Sequence, residues 1–377
     1  MMMTPQLSWH IVLQLAGKEL RSLWRDRLLL VFVLWAFSGA IYTAATAMPD
    51  RLVSAPIAVV DEDQTVLSQR LISAFYPPDF LTPDLISLGE MDAGLDTGHY
   101  SFVLDIPPGF QRDLVAGRRP ALQLNVDATQ MRQSFVGTGY VQSMIQLELQ
   151  EFEQGERTAA ASPVELAVRM RFNPTLNSAW FSGVMEVINM VTMLSIILAG
   201  AALIREREHG TLEHLLVMPI RPVEIMLAKV LSMGAVVLLA SLLSLRIMVQ
   251  GVLEMPIGGA LALFMLAVAL HLFATTSMGI FMGTVARSMP QLALLIILVL
   301  LPLQMLSGGA TPRESMPEAV RTLMLLAPTT HFVSLAQAVL YRGAGLSIAW
   351  PNLLALTAIG ATFFIAALAR FRRSLAL

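Results

Sequence analysis

The sequence predicts an α-helical integral membrane protein with six transmembrane helices and an α/β domain inserted between the first and second spans. Three observations predict it. Hydrophobic residues make up 55% of the 377 and charged residues only 14%, a membrane-protein balance. Apolar runs of spanning length recur at 28–48, 181–204, 224–249, 258–284, 290–307 and 350–369. Between the first two, residues 50–180 are different in kind, with nine Arg, no Lys and 17 acidic residues, a net −8.

The bulk counts also exclude. A net charge of −2 offers no field for nucleic acid. The absence of cysteine removes disulfides, thiolate metal sites and cysteine nucleophiles. The only lysines are Lys18 and Lys229, and neither stands in Gly-x-x-x-x-Gly-Lys-Ser/Thr. The chain therefore has no P-loop, and any ATP it uses binds on another polypeptide.

In chain order, residues 5–27 carry Trp9, Val12, Leu13, Ala16, Leu20, Leu23 and Trp24 at helical spacing, with Lys18, Arg21, Arg25 and Arg27 mostly elsewhere. This predicts either an amphipathic helix on the membrane surface or a polar leader to the first span. The span at 28–48 ends in Ala45-Thr46-Ala47, which looks like a signal-peptidase site, but its length favours an uncleaved anchor. In the domain 49–180, Pro56 to Asp61, Leu85 to Leu88, Ser101 to Ile106 and Ala121 to Val126 read as strands. Val66 to Phe75, Met91 to Leu95, Phe110 to Ala116 and Met131 to Phe152 read as helices. Alternating elements of this kind argue a small α/β domain outside the membrane. Residues 308–349, with Gly308-Gly309, Pro312, Pro317 and Pro328, are too polar for a span and too apolar for a free loop. Short helices dipping into the outer leaflet satisfy both constraints.

Orientation follows from Lys and Arg. With the N-terminus cytoplasmic, the inner segments hold Lys18, Arg21, Arg25, Arg27, Arg205, Arg207, Arg221, Lys229, Arg287, Arg370, Arg372 and Arg373. The outer stretch 308–349 holds only Arg313, Arg321 and Arg342. Both termini are then cytoplasmic and the α/β domain lies outside; Arg246, near the outer end of the third span, is the exception.

Little catalytic chemistry is visible. There is no His-Glu-x-x-His and no Gly-x-Ser-x-Gly. His209 and His214, five apart, do not share a helix face as a spacing of four would. Asp61, Glu62 and Asp63 follow a strand and read as a solvated turn rather than a cation site. Within the spans, Glu186 and Asn189, with Thr192 beyond them, and Gln304 are candidates for a substrate path or a polar dimer seam. The hydroxyls of Thr275, Thr276 and Ser277 beside His271, and of Ser307, read as ordinary interhelical or own-backbone hydrogen bonds.

The densest feature is Arg205 to Pro219. Arg205, Glu206, Arg207, Glu208 and Glu213 crowd between two apolar runs. Gly210 and Thr211 mark a break and an N-cap, and Leu212, Leu215 and Leu216 form a short apolar stripe. The segment is either a helix that receives force from a soluble partner or a plain charged turn. Residue chemistry alone does not choose.

The stretch Arg-Glu-Arg-Glu-His-Gly-Thr-Leu-Glu-His-Leu-Leu-Val-Met-Pro-Ile at 205–220 resembles the signature of type-2 ABC exporter permeases. One span, a large external domain and five further spans resemble the bacterial multidrug-efflux branch. So do Val60-Asp61-Glu62-Asp63, the stretch 169–174 and the segment from Ser307-Gly308-Gly309 to Pro317. The resemblance covers essentially the whole chain.

It implies a multi-pass permease of the bacterial inner membrane with residues 208–218 as a coupling helix docked on a cytosolic ABC ATPase. Arg205, Glu206, Arg207, Glu208, Gly210, Thr211, Leu212, Glu213 and Leu216 would carry that contact, beside an interface helix at 1–27. It further implies a second permease half, identical or different, a path near the second and fifth spans, and a periplasmic adaptor protein on the domain 49–180. The substrate would be hydrophobic or amphipathic. ATP and Mg would bind on the ATPase, leaving no catalytic, cofactor or metal residues here. An ion-driven secondary transporter would instead show mid-span acids and inverted repeats, but Glu186 lies near the end of its span and no repeat is visible. A non-transporting scaffold or sensor is the third alternative.

Overall fold

A computed structural model describes residues 8–47, 54–127, 131–156, 172, 177–208, 210 and 220–375. The chain forms two compact units, residues 48–169 and residues 1–47 with 170–377.

The larger unit is helical. Its helices are α1 (Trp9–Arg25), α2 (Arg27–Ala36) and α3 (Gly39–Thr46), then α8 (Ser178–Glu208), α9 (Pro222–Ser244), α10 (Leu261–Val285), α11 (Met289–Met305), α12 (Glu318–Leu323), α13 (Pro328–Ala336) and α14 (Leu346–Leu375). Among the described residues, five stretches are long and apolar enough to cross a membrane: Arg27–Thr46, Ser178–Glu208, Pro222–Val252, Leu261–Val285 and Leu346–Arg373. The expected fifth span is α11, whose 17 residues reach about 25 Å, short of the ~30 Å hydrocarbon core. A sixth crossing arises if the bent pair Glu318–Leu326 and Pro328–Tyr341, broken by 92° at Pro328, is one span. By contrast α8, with 31 residues, is about 46 Å long. Its charged last turn therefore extends beyond the apolar slab.

Helix α1 shows why its sequence carries more apolar residues than one face needs. Val12, Ala16, Glu19 and Leu23 are buried, and Val12 and Ala16 pack with Ala228 and Leu227 of α9. The neighbouring stripe of Trp9, Leu13, Leu20 and Trp24 stays exposed, Trp24 at 76%. One stripe serves the protein core and the other suits an interfacial membrane layer. Asp26 ends α1 and caps α2, its carboxylate accepting from the Leu29 N–H at 3.1 Å.

The centre of the bundle is α8 against α10, and glycine sets their distance. A Cβ on Gly279 would stand 2.5 Å from the Ile196 carbonyl oxygen, and one on Gly200 3.0 Å from the Gly279 oxygen. Without a hydrophobic driving force inside lipid, such close backbone approach is what packs helices together.

The smaller unit carries a four-stranded sheet in the order β2-β1-β3-β4, with β1 (Ile57–Asp61), β2 (Asp84–Leu85), β3 (Phe102–Ile106) and β4 (Gln123–Val126). β1 runs parallel to β2 and β3, and β4 is antiparallel to β3. β1 is buried on both faces. Ile57 and Val59 join Leu67, Leu71, Phe75 and Phe102 on one side, and Ala58 and Val60 join Val103 on the other. That two-sided burial is why β1 reads as a continuous apolar run. The unit's helices are α4 (Val66–Ala74), α5 (Leu88–Asp96), α6 (Phe110–Val115) and α7 (Met131–Glu156).

The expected strand at Leu85 to Leu88 is cut to two residues. Ser87 forms a capping box with Glu90 and starts α5 at Leu88, because a local cap outcompetes further pairing at a sheet edge. The acidic turn after β1 is structural rather than merely solvated. Asp61 accepts from the backbone N–H groups of Asp63 and Gln64 at 3.1 and 2.9 Å and from the Ser68 hydroxyl at 2.8 Å. Asp63 accepts from the Gln111 N–H at the start of α6, while the Gln111 side chain accepts from Leu67 N–H at the start of α4. The turn before α4 thus caps α6, and the first turn of α6 caps α4 in return.

Burial would raise the Asp63 carboxyl, but the hydrogen bonds from Gln111 N–H and the Thr65 hydroxyl outweigh it and hold it below its ordinary 3.8. A depressed carboxylate stabilises above its unfolded pKa and stops doing so as pH falls through the folded value. The unit therefore loses stability below about pH 4, and Asp63→Asn should flatten that acid limb in a pH series of unfolding curves. At the helix crossing, Gly279→Val should lower stability by about 1–3 kcal/mol. Gly234→Ala, where an added Cβ meets nothing within 4 Å, should not lower the detergent unfolding midpoint.

Candidate functional site

The last turn of α8 is where the ionisable chemistry of the helical unit collects. It forms around Lys229, two turns into α9 and only 1% exposed. A buried ammonium is costly unless paired. Here its Nζ lies 2.8 Å from Glu19 Oε1 and 2.7 Å from Glu206 Oε2. Glu19 arrives from the buried stripe of α1, the one polar position in it. Glu206 arrives from α8, and its second oxygen pairs with the half-exposed Lys18 at 3.2 Å. Both lysines of the chain thus meet on one carboxylate.

Successive residues on a helix point about 100° apart, so Arg205, Glu206, Arg207 and Glu208 reach four different places. Arg205 pairs with Asp26 at the α1–α2 junction, 3.2 Å away. Glu206 takes Lys229 and Lys18. Arg207 donates to the carbonyl of Ala286, which caps the C-terminus of α10, at 2.8 Å. Glu208 accepts from the N–H of Met289, the first residue of α11, at 3.2 Å. The signs match the helix ends they meet, a cation at a C-terminus and an anion at an N-terminus. Beside them Glu224 accepts from the backbone N–H groups of Ser8 and Arg221, both at 2.9 Å, and ties the starts of α1 and α9 together.

Gly210 closes the helix with φ +67° and an N–H bond to the Arg207 carbonyl of 3.1 Å, a left-handed terminator that favours glycine. Thr211, Leu212, Glu213 and Leu216 lie outside the described residues, and description resumes at Ile220. Of the expected ATPase-contacting residues, Arg205 to Glu208 are therefore engaged within the chain. They form a frame that immediately precedes residues 211–219 in the sequence.

The intramembrane candidates sit elsewhere. Glu186 and Asn189 share a face of α8, half-buried, with Asn189 Nδ2 donating to Glu186 Oε2 at 3.3 Å. Gln304 is half-buried near the end of α11. No hydrogen bond among the described residues brings its side chain to either. Deeper in the bundle, His271 Nε2 meets Thr192 Oγ1 at 2.9 Å, and Ser195 donates to Thr275 Oγ1 at 2.6 Å. Thr275 itself donates to the His271 carbonyl. These are interhelical and own-backbone bonds, as read for Thr275, Thr276 and Ser307, whereas the buried Ser277 hydroxyl has no partner among the described residues. Among the described residues no group of three or more His, Asp or Glu is placed to hold a metal.

A family model described as ABC-2 family transporter protein matches residues 27–369. The chain belongs to that family. As an ABC-2 permease it is a transport subunit with membrane-crossing helices rather than an enzyme. It is 60% identical over 364 residues to the inner membrane transport permease YhhJ of Escherichia coli (strain K12), covering 97% of each chain. It is 28% identical over 368 residues to the probable multidrug ABC transporter permease YbhR of the same organism, covering 97% of this chain and 99% of that one. YbhS, also named a probable multidrug ABC transporter permease, is 27% identical over 354 residues, 91% of each.

Sequence reasoning missed Glu19, Asp26, Glu224 and the meeting of Lys18 with Lys229. A signal existed: a permease with two lysines, one of them in a span and one beside an acid on an apolar helix stripe, has strong reason to pair them. Removing one member of a buried pair strands the other charge. Lys229→Met should thus cost about 3–5 kcal/mol, read as a lower unfolding midpoint in detergent. The triple change Lys229→Met, Glu19→Gln, Glu206→Gln should recover most of that loss; no recovery would remove the charge-pairing account.

Proposed function

We propose that this ABC-2 permease is the membrane half of an ATP-driven exporter in a bacterial inner membrane, with both termini cytoplasmic. The segment 208–218 docks on a separate ABC ATPase, which binds ATP and Mg. The observation that carries this reading is the ionic frame around Lys229. It joins the end of α8 to α1, α9, α10 and α11 immediately before that segment, so a push on the segment is delivered to five helices at once. The positive-inside count supports the cytoplasmic side for this frame. The twofold assembly rests on the family and on α11, whose Leu294, Ile297, Leu298 and Leu301 are exposed and suit a second permease or lipid. The relatives named multidrug permeases support a hydrophobic or amphipathic cargo. The smaller unit, placed outside the membrane, offers a surface for a periplasmic adaptor.

In the reconstituted complex, Leu212→Ala with Glu213→Ala and Leu216→Ala should leave membrane insertion intact and abolish substrate-stimulated ATP hydrolysis together with transport. Transport that persists without any ATPase subunit, or that collapses on dissipating the proton gradient while ATP is maintained, would replace this reading with an ion-coupled one.

A further inference from the structure

At the other end of α8 the bundle opens a cleft of about 400 Å³. Phe181 lines it, and Phe181 precedes Glu206 by 25 positions on one helix, a rise of about 38 Å. That distance is a bilayer core and part of a headgroup layer, so the cleft sits at the headgroup level opposite the Lys229 frame. Aromatic side chains mark the same level. The Phe181 ring stacks on Tyr341 with centroids 6.2 Å apart, Trp180 donates to the Leu253 carbonyl at 2.9 Å, and Tyr341 donates to the Trp180 carbonyl at 3.3 Å.

Two of the donors that line the cleft have no acceptor among the described residues. Arg313 and Arg342 both face it, against one acid, Glu314, which is exposed. Thr330, only 1% exposed, lines it with a buried hydroxyl that has no partner among the described residues, and the buried Nε of Arg313 is likewise unpartnered. Thr330 belongs to the first turn of α13, where the helix dipole is positive. Ser334 and Gln337 continue along the same face of that helix and its extension. Gly308, at φ +97°, brings the loop close to the Arg313 stem, which an added Cβ would meet at 3.1 Å. Buried donors of this kind are expensive unless an acceptor arrives, and two guanidinium groups recognise tetrahedral oxyanions with directed pairs of N–H bonds.

We propose that this cleft binds a phosphoryl anion, with Arg313 and Arg342 as the charge partners and Thr330 as the buried donor that fixes its depth. At headgroup level that chemistry has two sources, the headgroup of an anionic phospholipid and free phosphate. The proposal concerns binding by the permease alone, so its failure leaves the ATP-driven reading of the chain intact.

The test uses the full chain in nanodiscs of phosphatidylcholine with a minor fraction of phosphatidylglycerol, followed by native mass spectrometry of retained lipid. Wild type should retain phosphatidylglycerol over phosphatidylcholine. Arg313→Gln with Arg342→Gln should weaken that retention by about tenfold or more, the loss of charge-assisted hydrogen bonds. Thr330→Val, which changes no charge, should weaken it several-fold, and Arg321→Gln, outside the cleft, should not. The conservative Arg342→Gln alone keeps the test open if the double variant does not fold. Retention unaffected by millimolar inorganic phosphate identifies the lipid as the source, and competition by phosphate identifies the free anion. Equal retention of the two lipids by wild type, or retention unchanged by folded Arg342→Gln and Thr330→Val variants, overturns the proposal.

Discussion

An ammonium group cannot be left alone in an apolar interior, and Lys229 is 1% exposed. That constraint orders the helical unit at one end. The charge must be met by carboxylates that are themselves nearly buried, which forces Glu19 of α1 and Glu206 of α8 onto one point of α9. Once Glu206 is fixed, its three neighbours on the same helix turn are fixed too. Their partners then set the positions of the α1–α2 turn, the end of α10 and the start of α11. Such a network is a weak source of net stability, because desolvation consumes most of the Coulomb gain. Its value lies in specifying one arrangement of helix ends where apolar packing alone would accept several.

The middle of the bundle obeys a different rule. There the solvent-like surroundings are as apolar as the side chains, so burial supplies little preference between partners. Distance is set by what is missing: Gly200, Gly279 and Gly283 let the backbones of α8 and α10 touch. Direction is set by the few polar pairs that must be satisfied there, His271 with Thr192 and Ser195 with Thr275. Charge at the end, glycine and hydroxyls in the middle, and an open polar cleft at the far end make three environments along one 31-residue helix.

Much of this architecture was legible in the sequence for physical reasons. The long spans announce themselves because a bilayer demands about 20 apolar residues in a row. β1 was legible because a strand buried on both faces carries no polar alternation. The weak points were equally physical. α11 is too short to be told from a full span by hydropathy alone. Leu85 to Leu88 has the composition of a strand, but the capping partner at Glu90 lies beyond it. Arg205 to Glu208 were legible as a dense cluster but not as four separate contacts, since partners 23 to 188 residues away leave no mark on local pattern. Glu19 hid among leucines and tryptophans, where a single acid reads as surface.

The four-way engagement of residues 205–208 limits what kind of motion α8 can make. Turning the helix by one residue, about 100°, would present an arginine to Lys229 and a glutamate to the Ala286 carbonyl. Two attractions would become repulsions in the same step. Sliding by a full turn would carry the whole set past its partners together. Tilting, with the charged end as the pivot, breaks none of the pairs and moves the far end most. The helix is keyed like a shaft in its socket, and a displacement of a few ångströms at the key is geared up toward the opposite face of the membrane.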